Sequence, residues 1–297
     1  MLRGEPKAPP FTRYTTTLHE PTGDIVLSGK LSAVPGADTL AVVLHGCGGT
    51  PDADYCVRMA QSLVRHGVSA LRLAWRGSDL AGEDFYHAGQ TADLHAVLAD
   101  PNLAGYRRIW LIAYSLGGNA ALKFAQESGD TRLTAVATVC PVIDLPKANV
   151  AIDAPSRFVY RRYTLLGLAE TYAAASRRGR APTPLSEVRR ATTFRAFDSL
   201  TVVPRYGFRD VDHYYQSQSA SNALPHIARP TLIVSARHDP MIPWRLADDM
   251  RRQMSRAVTF RWAESGGHVF FPADLMLGER ASRGLGPQLI AWLERQG

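Results

Sequence analysis

The run Ile109-Trp-Leu-Ile-Ala-Tyr-Ser115-Leu-Gly117-Gly-Asn119 constrains this chain more than any other stretch. An unbroken apolar segment enters a small-x-Ser-x-Gly turn and passes at once into residues suited to a helix. A serine at such a junction sits on a sharp, strained turn with its hydroxyl presented at the end of a sheet. Small residues must flank it, because strand and helix backbones crowd together there. Gly117 meets that demand, and at position 113 alanine stands as the mildest departure from glycine. A plain Ser-Leu-Gly-Gly turn ending a buried strand is the competing reading, so the pattern needs support from elsewhere.

That support is positional. Pro230-Thr-Leu-Ile-Val-Ser-Ala-Arg-His-Asp239 is a β-branched, apolar strand that ends in a carboxylate-bearing loop. Val258–Ala263 reads as another short strand, followed by Glu264-Ser-Gly-Gly-His268. Reactive groups of open parallel sheets gather at the C-terminal ends of the strands. Ser115, Asp239 and His268 all stand there, in the order nucleophile, acid, base known for one large class of hydrolytic folds. Asp239 would orient His268 and stabilise its charged form, and His268 would take the Ser115 proton. Taken singly, an Asp before Pro is a turn residue and a His after Gly-Gly a loop residue.

A further strand, Leu40–Leu44, opens into His45-Gly-Cys-Gly-Gly-Thr50. This turn is placed to supply one amide of an oxyanion hole, at Cys47, with the second at Leu116. The glycines could instead cradle a phosphate, but the Gly-Lys-Ser/Thr ending and the Gly-x-Gly-x-x-Gly spacing are both missing. His45 has no second ligand at metal-binding spacing, so no metal and no cofactor are expected, and its place suits orienting the loop. Cys47 is a second candidate nucleophile in a role the serine already fills. His45, Gly46, Tyr114 and His213 are the expected substrate-pocket residues, with Tyr214 beside the last.

These pieces resemble the YheT-like family of α/β-hydrolases, which includes ABHD-type enzymes, over about His45 to Phe271. The matching segments are Leu44-His-Gly-Cys-Gly-Gly-Thr50, Arg76-Gly-Ser, Tyr86-His-Ala-Gly89, Ala113-Tyr-Ser-Leu-Gly-Gly-Asn119, Phe194-Arg-Ala-Phe-Asp198, Tyr206-Gly-Phe-Arg-Asp210, Tyr214-Tyr215, Pro230-Thr-Leu-Ile-Val234, Asp239-Pro-Met-Ile-Pro243 and Gly266-Gly-His-Val269. The chain departs from the family at Ala113, usually Gly, and at His238, often a second Asp. The latter leaves Asp239 as the only carboxylate in its loop. The resemblance implies a serine esterase acting on acyl or lipid-like esters. Thioesterase, amidase and acyltransferase chemistry use the same three residues, and a non-catalytic binding protein on the same fold is the alternative from another class.

The coarse pattern agrees. Opening strands at 16 to 33, strands at 40 to 45, 69 to 75, 108 to 114 and 134 to 140, and helices at 53 to 66, 85 to 99 and 117 to 128 predict an α/β fold. It has a mostly parallel central sheet with helices on both faces. Alternation stops over roughly 144 to 215, read as a helical cap inserted into a single domain of 297 residues. Between Arg157 and Arg209 stand eleven arginines, no lysine and three acids, a net +8 against +7 for the whole chain. Such a field suits peripheral contact with an anionic membrane, and it suits equally a solvated helical face. No nucleic-acid motif accompanies it. Met1–Pro10 lacks the apolar core of a signal peptide, and Cys47, Cys56 and Cys140 form no CxxC pair, so a cytoplasmic protein with reduced thiols is expected.

Overall fold

The computed structural model describes residues 7–296; the N-terminal expectation rests in part on Met1–Pro6, which lie outside the described residues. Eight strands form one sheet: β1 (Thr12–Glu20), β2 (Gly23–Ser32), β3 (Thr39–Leu44), β4 (Ser69–Leu73), β5 (Arg108–Tyr114), β6 (Leu133–Val139), β7 (Thr231–Ala236) and β8 (Val258–Ala263). Their spatial order is β1-β2-β4-β3-β5-β6-β7-β8. β1 and β2 make an antiparallel hairpin that joins β4 antiparallel, and every pairing from β4 to β8 is parallel. The sequence accounts for this division. β3 and β7 are buried at every residue, as strands covered on both faces must be, whereas the outer strand β1 alternates and exposes most of its length.

Two-residue periodicity then sorts the core into two layers. Leu40, Val42 and Leu44 pack on one face, while Ala41 and Val43 pack on the other. The second face is covered by α1 (Asp54–Arg65), through Cys56, Met59, Ala60 and Leu63, and by the helix Leu285–Glu294, through Leu289, Ile290 and Leu293. The first is covered by α2 (Ala92–Ala99) and α3 (Leu116–Glu127), and by the helices inserted after β6. Each fully buried Leu or Ile contributes about 1.5–3 kcal/mol.

The insertion runs through α4 (Leu145–Asp153), α5 (Phe158–Arg177), α6 (Leu185–Val188), α7 (Phe194–Leu200), α8 (Val202–Tyr206) and α9 (Val211–Gln218). Two short 3₁₀ turns then carry the chain to His226 before the sheet resumes. Side-chain caps start several of these helices. Asp144 accepts from the Lys147 amide, Thr193 from Ala196 and Asp210 from His213. Asn119 on α3 ties the return: its amide donates to the Ala88 and Gln218 carbonyls, and its Oδ1 accepts from the Ala220 N–H.

The structure shortens the expected helix at 85 to 99 to Ala92–Ala99. Phe85, Tyr86 and Ala88 are buried as helix residues would be, but they lie in a loop. Among the described residues, no helix is long and apolar enough to cross a membrane.

Candidate active site

Ser115 follows β5 directly, at φ 52° and ψ −120°, a conformation side-chain-bearing residues rarely adopt. The tightness explains the neighbouring glycine. A Cβ on Gly117 would come within 2.5 Å of the His45 carbonyl oxygen. Gly46 faces the serine from the other side, and a Cβ there would meet the Ser115 Cβ at 2.9 Å.

The loops after β7 and β8 bring Asp239 and His268 to the same edge. His268 Nε2 lies 2.7 Å from Ser115 Oγ, and its Nδ1 lies 2.7 Å from Asp239 Oδ2. With the proton on Nδ1 directed at the carboxylate, Nε2 accepts from the serine hydroxyl. The other Asp239 oxygen accepts from the Met241 and Ile242 amides at 2.8 and 2.9 Å. Burial alone would raise the Asp239 carboxyl. Attraction to His268, its hydrogen bond and the two amides outweigh that and hold it below the usual carboxylate range.

The glycine-rich turn is fixed by its own hydrogen bonds. The Gly46 amide donates to the Tyr55 hydroxyl at 3.0 Å and the Gly48 amide to the Tyr86 hydroxyl at 2.7 Å. Among the described residues, neither the Cys47 amide between them nor the Leu116 amide donates to a protein acceptor. Both residues line a cavity with Ser115. His45 sits behind the turn, fully buried, with Nδ1 2.8 Å from the Gly46 carbonyl oxygen and Nε2 2.9 Å from Ser78 Oγ. Burial lowers its imidazole to about 4, so it stands neutral. Burial also pushes the Cys47 thiol well up, with the charge of Asp198 adding to it, which removes the thiolate a cysteine nucleophile would need.

A cavity of about 100 Å³, partly open to solvent, lies over Ser115. Its walls come from the cap and from the Asp239 loop, largely apolar through Leu145, Ile152, Leu168, Phe197, Val202 and Ile242. Of the expected pocket residues His45, Gly46, Tyr114 and His213, none lines it. Tyr114 precedes the serine by one residue, so its side chain falls on the opposite sheet face, where its ring lies 4.7 Å from that of Tyr55. His213 sits at the start of α9, its Nδ1 accepting from the Arg209 amide, while Tyr214 and Tyr215 face the cavity. Tyr86 and His87 also line it. The motif Tyr86-His-Ala-Gly89 is their signal in the sequence.

Cys140 Sγ, an Asp239 oxygen and a His268 nitrogen lie within 4.8 Å of one another, the one metal-like donor cluster among the described residues. Its imidazole and carboxylate are already hydrogen-bonded to each other and to Ser115, and burial holds the Cys140 thiol protonated. The donor set is a poor metal site.

A model of the alpha/beta hydrolase family matches residues 41–276. Among curated relatives, the Escherichia coli protein named "Putative esterase YheT" is 29% identical, covering 90% of this chain and 81% of its own length. Mouse phospholipase ABHD3 is 24% identical, covering 77% of this chain and 57% of its own. Among solved structures, the Pyrococcus furiosus esterase Pf2001 superposes with a TM-score of 0.55 at 16% identity, covering 88% of this chain and 90% of that one. This last likeness is one of fold.

Proposed function

The chain belongs to the alpha/beta hydrolase family and is related to YheT-like and ABHD-type esterases. From that premise we propose that it hydrolyses carboxylic esters through an acyl-enzyme formed on Ser115. One observation carries the reading. Ser115 Oγ, His268 and Asp239 form a continuous hydrogen-bonded line at 2.7 Å steps, and Ser115 lines an apolar cavity.

In the first step His268 Nε2 takes the serine proton as Oγ attacks the ester carbonyl carbon. The Leu116 and Cys47 amides are the donors available to the oxyanion, since the Gly46 and Gly48 amides are held by tyrosine hydroxyls. Removing one such donor typically costs about 3–4 kcal/mol of transition-state stabilisation. His268 then passes its proton to the departing alcohol. Water attacks the acyl-enzyme with His268 again as base, which returns the free acid and the serine. Asp239, ionised throughout, holds the imidazole in the productive tautomer.

A fluorophosphonate probe tests this without knowledge of the substrate. Labelling at Ser115, located by mass spectrometry and absent in Ser115→Ala, is the expected result. Folded protein that takes no label would favour a binding protein on the same fold.

The substrate class is a small or lipid-like ester, in keeping with the cavity walls. For the cap we propose contact with an anionic membrane surface. Val159, Tyr163 and Leu166 recur on one face of α5, exposed by 71%, 80% and 55%, with the exposed Arg162 among them. Apolar side chains flanked by arginine suit the headgroup boundary of an anionic bilayer.

A further inference from the structure

Among the described residues the substrate cavity contains one acidic side chain, Asp198 on α7, and it belongs to the Phe194-Arg-Ala-Phe-Asp198 motif that the hydrolytic mechanism does not use. Asp198 is only 9% exposed. Its Oδ2 accepts from the Tyr215 hydroxyl at 2.7 Å, and Tyr215 in turn accepts from Asn149 Nδ2 at 3.0 Å. Asn149 also reaches Asp153 Oδ2 at 3.3 Å. Asp153 spends its acceptors on the start of α7, at the Phe194 and Arg195 amides. The chain of bonds therefore has a direction. One Asn149 proton goes to Tyr215 and the Tyr215 proton goes to Asp198, whose second oxygen takes no hydrogen bond among the described residues.

Nothing in this arrangement neutralises a charge. Among the described residues no arginine, lysine or histidine is bonded to the Asp198 carboxyl. Burial raises it to about 7, against the pull of the Tyr215 hydrogen bond and with the repulsion of Asp153 added. Protonated, such a carboxyl donates one hydrogen bond and accepts another, and ionised it still accepts, so an alcohol hydroxyl can answer either form. Its position suits a substrate group. Asp198 lines the same cavity as Ser115 and Cys47, the latter on the turn that holds a proposed oxyanion amide.

We propose that Asp198 and Tyr215 form a hydrogen-bonding subsite for a free hydroxyl group on the substrate, so that esters bearing such a hydroxyl are the preferred class. The inference rests on the ester-hydrolase reading and deepens it. An unhydroxylated ester would bury the unpaired Asp198 oxygen against hydrocarbon, and sites built to hydrogen-bond a hydroxyl reject the analogue that lacks it.

Two matched pairs test this, one for each side of the ester bond. The acyl side is read with 4-nitrophenyl hexanoate against 4-nitrophenyl 6-hydroxyhexanoate, and the alcohol side with propyl hexanoate against glycerol monohexanoate. The quantity is the ratio of kcat/KM within each pair. In at least one pair the wild type should prefer the hydroxylated ester about tenfold or more, the worth of one well-made hydrogen bond. Asp198→Asn, which still donates and accepts, should keep much of that ratio, and Asp198→Leu should bring it near one. Loss of packing alone would lower both members of a pair together. A wild-type ratio near one in both pairs overturns the proposal, whether or not either variant folds, and so does a preference that survives Asp198→Leu. Hydrolysis of none of the four esters would overturn the esterase reading itself, and this subsite with it.

Discussion

Gly167, midway along the cap helix α5, lies so close to Gly48 of the glycine-rich turn that a Cβ on it would come within 2.5 Å of the Gly48 carbonyl oxygen. The contact is mutual, since a Cβ on Gly48 would meet the Thr164 carbonyl oxygen at 2.8 Å. The cap therefore rests, backbone on backbone, on the turn that carries the proposed oxyanion amide of Cys47. Its position and that of the amide are coupled.

A single methyl group should expose that coupling. Gly167→Ala favours the helix intrinsically by about 1 kcal/mol, yet must push the turn away from α5. The expected result is a fall in kcat of about tenfold or more, because oxyanion donors act only at close range. Thermal melting and steady-state kinetics on one ester separate the two effects. Unchanged kcat would mean that the turn and the cap move independently.

Why some of this was legible in the chain and some was not follows from the range of the interactions. Ser115, Asp239 and His268 each follow a strand whose apolar run is local, and the structure brings those three strand ends to one edge. The same local reading sent Tyr114 to the pocket, although strand alternation turns it to the opposite sheet face. It also starts the helix before β5 at Phe85, although Phe85, Tyr86 and Ala88, buried as a helix face would be, lie in a loop. Their burial comes from distant partners instead: the Tyr86 hydroxyl bonds the Gly48 amide, and the Ala88 amide bonds the Tyr214 hydroxyl. Pocket walls such as Ile152, Leu168 and Val202 come from separate cap helices, and no short-range pattern marks which apolar residue of a helix faces a cavity and which faces the core.

The cap is also tied to the sheet through buried charge. Arg76 bonds Asp93 at 2.5 Å, Glu20 at 2.8 Å and Asp84 at 3.3 Å, and Asp84 reaches Arg205 of α8 at 2.7 Å. The Asp84 side chain is wholly buried. Asp84→Ala should leave two guanidinium groups short of an acceptor and destabilise the fold by about 3–5 kcal/mol, as removal of one member of a buried ionic network does. Urea denaturation of the two proteins measures it. A loss below about 1 kcal/mol, the size of a surface pair, would mean that Glu20 and Asp93 satisfy Arg76 without Asp84.

Asp198 makes stability depend on pH in a direction opposite to an ordinary salt-bridged carboxylate. Facing Tyr214 and Tyr215 from α9, Asp153 from α4 and the Cys47 thiol, it meets no cation among the described residues, and its folded value of about 7 lies above the ordinary 3.8. The folded state therefore binds this proton more tightly than the unfolded one. Its stabilising contribution is whole below about pH 4, declines as the pH rises, and is gone above about pH 7. The gap corresponds to an upper bound of about 4 kcal/mol. Asp198→Asn, which cannot ionise, should raise the melting temperature at pH 8 by several degrees relative to wild type, and the advantage should shrink at pH 4. Equal shifts at both pH values would show that the carboxyl ionises freely inside the folded protein.

The outer face of α5 yields a prediction about where the protein acts. Phe158, Val159, Tyr163 and Leu166 are exposed in succession along a helix that also presents Arg162. The stretch from Arg157 to Arg209 carries a net +8, leaving −1 for the rest of the chain. A solvated helical face would explain the arginines but not the apolar residues beside them. Both together predict sedimentation with vesicles of phosphatidylglycerol at low salt, little with phosphatidylcholine, and release as salt screens the attraction over about 10 Å at 0.1 M. Val159→Ser combined with Leu166→Ser should weaken binding at low salt as well, because each removes apolar area without touching charge. Binding that responds to salt but not to these substitutions would reduce the contact to a diffuse electrostatic one. No binding to either vesicle at low salt would return the arginines of the cap to solvent.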